Sequence, residues 1–456
     1  MRMSVQVGRE SFTFHSLKEV LAKASEQKSG DSLAGVAAGS RTERVAAKRV
    51  LSGLKVSDLR NEPAVPYEED AVTRIIQDDI DEAVYAGIRD WTIGELWEYI
   101  LSEPDSEKLL RLSRGMTSEV IAAAAKLMGN LDLISASAKL GITARCNTVI
   151  GGRDVFASRL QPNHPSDDPK GVTASVLEGL SYGAGDAVIG LNPAIDTVES
   201  TTAVWEMLAR VRDRYQIPTQ TCVLSHVTTQ MRALRRGAKA DLCFQSIAGS
   251  EKALAAFGAD VGMLEEARQM FLEEGSASGP NVMYFETGQG SELSSGANHG
   301  ADQGVMENRC YGLARHYSPF LVNTVVGFMG PEYVYDTREL IRAALEDVFC
   351  GHMHGLPMGC DCCYTNHMPA DQNDVETLIA LMCGAGCHYV MGLPQGDDVM
   401  LMYQSNAFHD TAAIRETFGK RPIPEFEEWL RQWGIWENGH PGPNFGDPTI
   451  FPDGRT

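Results

Sequence analysis

Residues 187–193 read Ala187-Val188-Ile189-Gly190-Leu191-Asn192-Pro193, an apolar run of strand length that stops at Asn-Pro. Residues 197–215 then carry the apolar spacing of a helix. The unit recurs. From about Asn147 the strand-like runs are Phe156–Leu160, Ala187–Leu191, Thr221–Leu224, Leu242–Ile247, Val282–Phe285, Leu321–Phe328, Gly355–Met358 and Cys387–Met391. Each leads into a helical candidate, at 170–182, 197–215, 228–238, 250–274, 301–316, 336–349, 373–385 and 410–418. Strand-then-helix units with short connections require parallel strands joined by right-handed crossovers. Eight of them predict an α/β fold closed as a (β/α)8 TIM barrel, with an open doubly wound sheet as the competing arrangement.

Upstream of about residue 130 the apolar spacing is helical throughout, at Leu17–Ala22, Glu43–Leu54, Glu68–Ala86 and Ile93–Leu101, and no strand is expected. Ser106 and Thr117 stand where N-caps are expected. The reading divides the chain into an N-terminal helical region (1–130), a barrel catalytic domain (131–428) and a C-terminal tail packed on the barrel (429–456).

The 456 residues carry 40 Lys+Arg against 61 Asp+Glu, a net charge of −21 that excludes nucleic-acid binding through a basic face. With 43% hydrophobic and 22% charged residues the composition is that of a cored globular protein, neither disordered nor fibrous. No window has the length of apolar sequence a membrane span needs, and nothing near Met1 reads as a secretory signal, so a cytoplasmic protein is expected. The 10 cysteines fall mostly inside strand-like runs, as reduced core thiols would.

In a barrel the residues that terminate the strands converge on one mouth. Here they are Arg159-Leu160-Gln161-Pro162-Asn163, Asn192-Pro193, Ser225-His226, Gln245-Ser246, Glu286-Thr287-Gly288-Gln289-Gly290, Asp361 and Met391-Gly392. Glu286 and Asp361 on one mouth would make a negative pocket suited to an ammonium group, while Arg159, Gln161 and Asn192 could hold a hydroxyl oxygen. A structural ion pair between Arg159 and either acid is the plainer alternative. His352, His354, Cys360, Cys362, Cys363 and His367 lie within 16 residues and open a zinc-dependent barrel hydrolase as a rival, although no second C-x-x-C follows, and a non-catalytic scaffold subunit is the other alternative. The Gly183 and Gly288 stretches lack dinucleotide spacing, no P-loop or G-x-S-x-G occurs, and His409-Asp410 reads as a helix start.

Five strings, Ser29-Gly30-Asp31-Ser32-Leu33-Ala34-Gly35-Val36-Ala37-Ala38, Arg159–Asn163, 183–190, Tyr284–Gly290 and 359–367, resemble the large subunit of ethanolamine ammonia-lyase, and the likeness runs from about Leu17 to Phe451. The resemblance implies a catalytic subunit that uses adenosylcobalamin to convert ethanolamine to acetaldehyde and ammonia. It implies a small-subunit partner in a hetero-oligomer, within the cytoplasm or a bacterial microcompartment. By motif, Arg159, Gln161, Asn192, Glu286 and Asp361 match the substrate-binding set, with Arg159, Glu286 and Asp361 catalytic. Glu286, Asp361 and Gln161 suit the ammonium end, Arg159 and Asn192 the hydroxyl end. Pro193, Gln245, Ser294 and Met400 match cobalamin-lining positions, Ser246 neighbours them, and Phe328 and Met391 are expected to wall the pocket. No D-x-H-x-x-G motif occurs, so the cofactor is expected to keep its own base on cobalt, and no metal is assigned to protein side chains. After Gly249-Ser250-Glu251-Lys252 the stretch 253–257 lacks the acid that the family carries near the adenosyl ribose.

Overall fold

The computed structural model describes residues 3–452. Eight parallel strands form the central sheet: β1 Ala157–Leu160, β2 Val188–Leu191, β3 Thr221–Val223, β4 Cys243–Ser246, β5 Met283–Thr287, β6 Leu321–Val325, β7 Met358–Asp361 and β8 Tyr389–Gly392. Their order, β3-β2-β1-β8-β7-β6-β5-β4, brings the two ends of the sheet together. That seam is bridged by the bond from Leu242 N–H to the Thr221 carbonyl at 3.4 Å, so the barrel is nearly closed. Most of the strand residues are buried on both faces, as a parallel sheet wrapped by helices requires.

The outer helices begin where short polar side chains satisfy free N–H groups. Asp168, Thr197, Asp302, Asp336 and Asp371 each accept backbone N–H bonds at the starts of Pro169–Ser181, Val198–Tyr215, Gln303–Tyr317, Thr337–Met353 and Gln372–Gly384. The expected helix 250–274 is two helices, Glu251–Ala256 and Val261–Glu274. Gly258 at φ +74° breaks it and Asp260 caps the second piece. The seventh strand lies three residues later than the apolar run Gly355–Met358 predicts, which places Asp361 inside it.

The expectation of no strand before residue 130 is overturned: Met3–Val7 and Glu10–Phe14 pair antiparallel about a turn at Gly8, whose φ is +60°. Helices then follow from Leu17 to Ala138 and lie against the barrel helices. Buried ion pairs join the two layers: Arg309 with Asp70 (2.8 Å) and Glu119 (2.7 Å), Lys126 with Asp302 (2.6 Å), and Lys28 with Glu346 (2.6 Å). Helices Asn130–Ala138 and Pro424–Gln432 run across positions 130 and 428. Asp105, not Ser106, caps Ser106–Ser113, and Thr117 precedes Ser118–Leu127 without a side-chain cap bond. In the tail, Trp429 donates its indole N–H to the Tyr215 carbonyl at 2.9 Å and stacks on Phe451. All ten cysteines are buried and free. No helix among the described residues is long and apolar enough to cross a membrane.

Candidate active site

A cavity of about 460 Å3 opens at the C-terminal end of the barrel, and its lining includes Gln161, Asn192, Gln245, Ser246, Glu286 and Asp361. Alternation along a strand puts side chains two apart on one face, which is why Tyr284 and Glu286 of β5 both point inward. Parallel register sets Ser246, Glu286, Asn323 and Gly359 at one level across β4 to β7.

Arg159 is the hub of the polar floor. Its guanidinium donates to Glu286 Oε1 (2.8 Å), the Tyr284 hydroxyl (2.9 Å), Asn192 Oδ1 (2.7 Å) and the Gly190 carbonyl (3.3 Å). Position 190 must be glycine for this, because a Cβ there would lie 2.9 Å from Arg159 Nε. Burial works against the Arg159 charge, yet Tyr284 and Glu286 outweigh it and hold the guanidinium firmly protonated. Tyr284 donates in turn to Glu286 Oε1 at 3.2 Å. The ion pair that formed the plainer alternative is therefore present at Glu286. Glu286 nevertheless keeps 16% of its side chain exposed to the cavity, whereas Arg159 keeps 1%. The pair thus turns its carboxylate toward the cavity, while the guanidinium lies behind it.

Asp361 sits opposite, at the end of β7 and 3% exposed. Its Oδ2 accepts from the Tyr403 hydroxyl (2.9 Å) and its Oδ1 from the Ser405 hydroxyl. Burial pushes its pKa up to about 7. Ser405 and Tyr403 pull against that, and the charge of Glu286 adds to it. Gln161 donates to Tyr403 (2.9 Å) and to Asp398 Oδ2 (2.7 Å), which also accepts from Asn163 (2.7 Å). Asn163 closes the circuit by accepting from Asn192 N–H at 2.7 Å. All five substrate-binding candidates thus meet in one network: Arg159, Asn192 and Glu286 on one side, Asp361 and Gln161 on the other.

The family description Ethanolamine ammonia lyase large subunit (EutB) matches residues 12–443. The chain is 55% identical over 452 residues to the ethanolamine ammonia-lyase large subunit of Salmonella typhimurium, covering 99% of this chain and 100% of that one. It is 54% identical over the same span, with the same coverage, to that of Escherichia coli. The chain belongs to the ethanolamine ammonia-lyase large subunit family. It is a lyase.

Against that family, Gln245 and Ser246 line the cavity, and Gln245 Oε1 accepts from Val227 N–H at 3.0 Å. Pro193 is half-buried directly after Asn192, Ser294 is exposed at the end of the short helix Ser291–Ser294, and Met400 is half-buried beside Asp398, donating its N–H at 3.0 Å. None of these three lines the cavity. Phe328 does, with its ring against Tyr403; Met391, expected beside it, is wholly buried in β8 and off the cavity wall. Position 256, in the stretch without an acid, is an exposed alanine beside Phe257 of the lining.

The residues of the zinc reading disperse. His352 bonds Ser137 and His388, His354 bonds Ser118 and the Cys350 carbonyl, and His367 is exposed. Burial drives the His354 pKa down to about 3, with Arg315 acting the same way. Among the described residues no three His, Cys, Asp or Glu side chains are grouped to hold a metal ion. Sequence reasoning assigned no role to Tyr403, Ser405 and Asp398. Asp398 and Tyr403 belong to a ribbon, Tyr364–Thr365, Asp397–Asp398 and Tyr403–Gln404, that folds across the mouth just beyond the ends of β7 and β8, and Ser405 follows it directly.

Proposed function

We propose that the protein is the catalytic large subunit of an adenosylcobalamin-dependent lyase that converts ethanolamine to acetaldehyde and ammonia, working with a small-subunit partner. The observation that carries this reading is two acids, Glu286 and Asp361, facing one cavity from β5 and β7, with Arg159 and Asn192 beside Glu286. An ammonium group fits between the acids. The hydroxyl oxygen fits the donors of Arg159 and the amide of Asn192.

The residues present suit the cofactor. Exposed apolar side chains, Ile195 after β2, Phe328 after β6, and Val399 and Met402 after β8, stand on loops at the mouth, where a broad apolar ligand would cover them. Among the described lining residues the one histidine, His226, has both ring nitrogens engaged, Nδ1 with the Thr228 hydroxyl (2.8 Å) and Nε2 with the Phe257 carbonyl (3.1 Å). That agrees with a cobalt that keeps its own base. Gln245 and Ser246 would hold the cofactor at the rim, with Pro193, Ser294 and Met400 outside them.

Bound adenosylcobalamin would supply a deoxyadenosyl radical able to take hydrogen from the carbinol carbon. The chain's own residues then hold the amino group while it moves between adjacent carbons. Glu286, held in place by Arg159 at 2.8 Å, presents its carboxylate to one side of the nitrogen. Asp361, with a pKa of about 7, can take or return a proton at that nitrogen through Oδ1 or Oδ2 near neutral pH. Arg159 holds the oxygen, and the apolar rim excludes water.

The test is an anaerobic, dark mixture of the chain, co-expressed with its small subunit, with adenosylcobalamin and ethanolamine. Acetaldehyde together with a substrate-dependent cobalt(II) and radical signal is expected. A silent complex with full-length partner present would overturn the reading.

A further inference from the structure

A second cavity, of about 530 Å3, shares no lining residue with the first and lies between the helical layer and the helix Thr337–Met353. Its charged lining is five cations, Arg41, Arg44, Lys48, Arg338 and Arg342, against one carboxylate, Glu26, in a chain of net charge −21. The sequence arranges this. In the helix Arg41–Gly53, positions 41, 44, 45 and 48 share one face, and positions 338 and 342 are one turn apart on the other helix. Like charges at that spacing, turned toward one concave surface, repel.

Partners within the chain neutralise only part of the set. Glu26 accepts from Lys48 at 2.7 Å and lies 3.6 Å from Arg44. Arg342 is held by Glu346 (2.7 Å) and by the Met128 (2.9 Å) and Ala125 (3.1 Å) carbonyls. Arg338 has only a 3.8 Å pair with Asp336, and Arg41 makes no hydrogen bond or ion pair among the described residues. Both are exposed, and both stand in the first turn of their helices, where the backbone's own positive end disfavours a cation. Burial draws the Lys48 ammonium pKa down despite Glu26, and Arg342 acts in the same direction. The lining also has an apolar part, Val45 beside the cations of its own helix and Leu127 and Met128 of the helical layer.

We propose that this cavity binds a phosphate-bearing small molecule, its phosphoryl oxygens gripped by the free guanidinium forks of Arg41 and Arg338 and its organic part lying on Val45, Leu127 and Met128. Planar guanidinium groups match phosphoryl oxygens two at a time. The net negative charge of the chain disfavours a long polyanion and leaves a small one as the occupant.

Calorimetric titration of the chain in complex with its small subunit tests this, with inorganic pyrophosphate as probe and sulfate at matched ionic strength as control. Saturable pyrophosphate binding at one site per chain is expected, weaker for sulfate, and lowered about tenfold or more by Arg41→Gln with Arg338→Gln. Ethanolamine turnover by that double variant is expected to be unchanged. No saturable binding at millimolar pyrophosphate overturns the proposal, as does equal binding of sulfate or binding that survives the double substitution. A double variant whose assembly state changes in sedimentation velocity, while wild type binds no pyrophosphate, would make the face a docking surface for another subunit and equally overturn it. The readout is binding, so it stands or falls apart from the lyase reading.

Discussion

The hydroxyl of Tyr403 donates to Asp361 Oδ2 at 2.9 Å across 42 positions of sequence, tying the ribbon over the mouth to the end of β7. Asp361 is pushed to about 7 chiefly by burial, and this bond is one of two that restrain the rise. A carboxyl with a folded pKa above its unfolded value binds more protons in the native state. Its contribution to stability is complete below about pH 4 and is lost as pH rises through about 7. The ionised form needed for an ammonium ligand is therefore held at the expense of stability.

The kcat/KM for ethanolamine is expected to rise with pH through a transition near 7, as Asp361 ionises. Asp361→Asn should remove that transition and raise KM, with cobalamin affinity unchanged. A pH profile recorded with cobalamin saturated decides it, and a rise near pH 7 that persists in the variant would put the ammonium pocket elsewhere.

Tyr403→Phe removes one donor to Asp361 and leaves the Ser405 hydroxyl in place. The carboxylate loses stabilisation, so the transition in kcat/KM should move to higher pH than in wild type. Loss of a hydrogen bond to a charged group, together with a looser Gln161, should lower kcat/KM about tenfold at pH 7. A profile that stays in place would show that Tyr403 acts only as packing.

Glu286→Gln keeps the shape at β5 but leaves the Arg159 guanidinium, 1% exposed, without its anionic partner. Turnover should fall by about two to three orders of magnitude, because the carboxylate beside the nitrogen is gone. Melting should shift downward as well, since removing one member of a buried pair strands the other charge. Steady-state assay beside calorimetric melting checks both, and wild-type turnover in this variant would take Glu286 out of the chemistry.

The repeating strand-and-helix pattern made the barrel legible, and every side chain in the Arg159, Gln161, Asn192, Glu286 and Asp361 network stood at the end of an apolar run. What escaped did so for physical reasons. Asp361 lies inside β7 and not after it, because Tyr403 and Ser405 satisfy a carboxylate that apolar patterning would expel from a strand. The Tyr403 hydroxyl sits on a ribbon whose two-residue pairings carry no periodic signal, and Ser405 directly follows it. The N-terminal hairpin did carry one: Met3, Val5 and Val7 alternate with polar residues before Gly8, as do Phe12 and Phe14 after it. The break at Gly258 was likewise written in a glycine followed by the capping Asp260.

Arg309 carries the strongest test of how the helical layer is held. Its guanidinium, wholly buried on the helix Gln303–Tyr317, reaches Asp70 and Glu119 of that layer, and Nε donates to the Gly249 carbonyl at 2.7 Å. Arg309→Met keeps most of the volume and strands two buried carboxylates, which should cost about 3–5 kcal/mol of unfolding free energy. Arg236 pairs with Glu199 at short range too, but their side chains are 58% and 74% exposed. Arg236→Met should therefore cost well under about 1 kcal/mol. Urea denaturation of the two variants, with hydrogen exchange read across the helices from 71 to 127, separates them. Arg309→Met is expected to lower the midpoint and loosen that layer first, while Arg236→Met leaves both unchanged. Equal midpoints would mean that apolar packing alone binds the layer to the barrel.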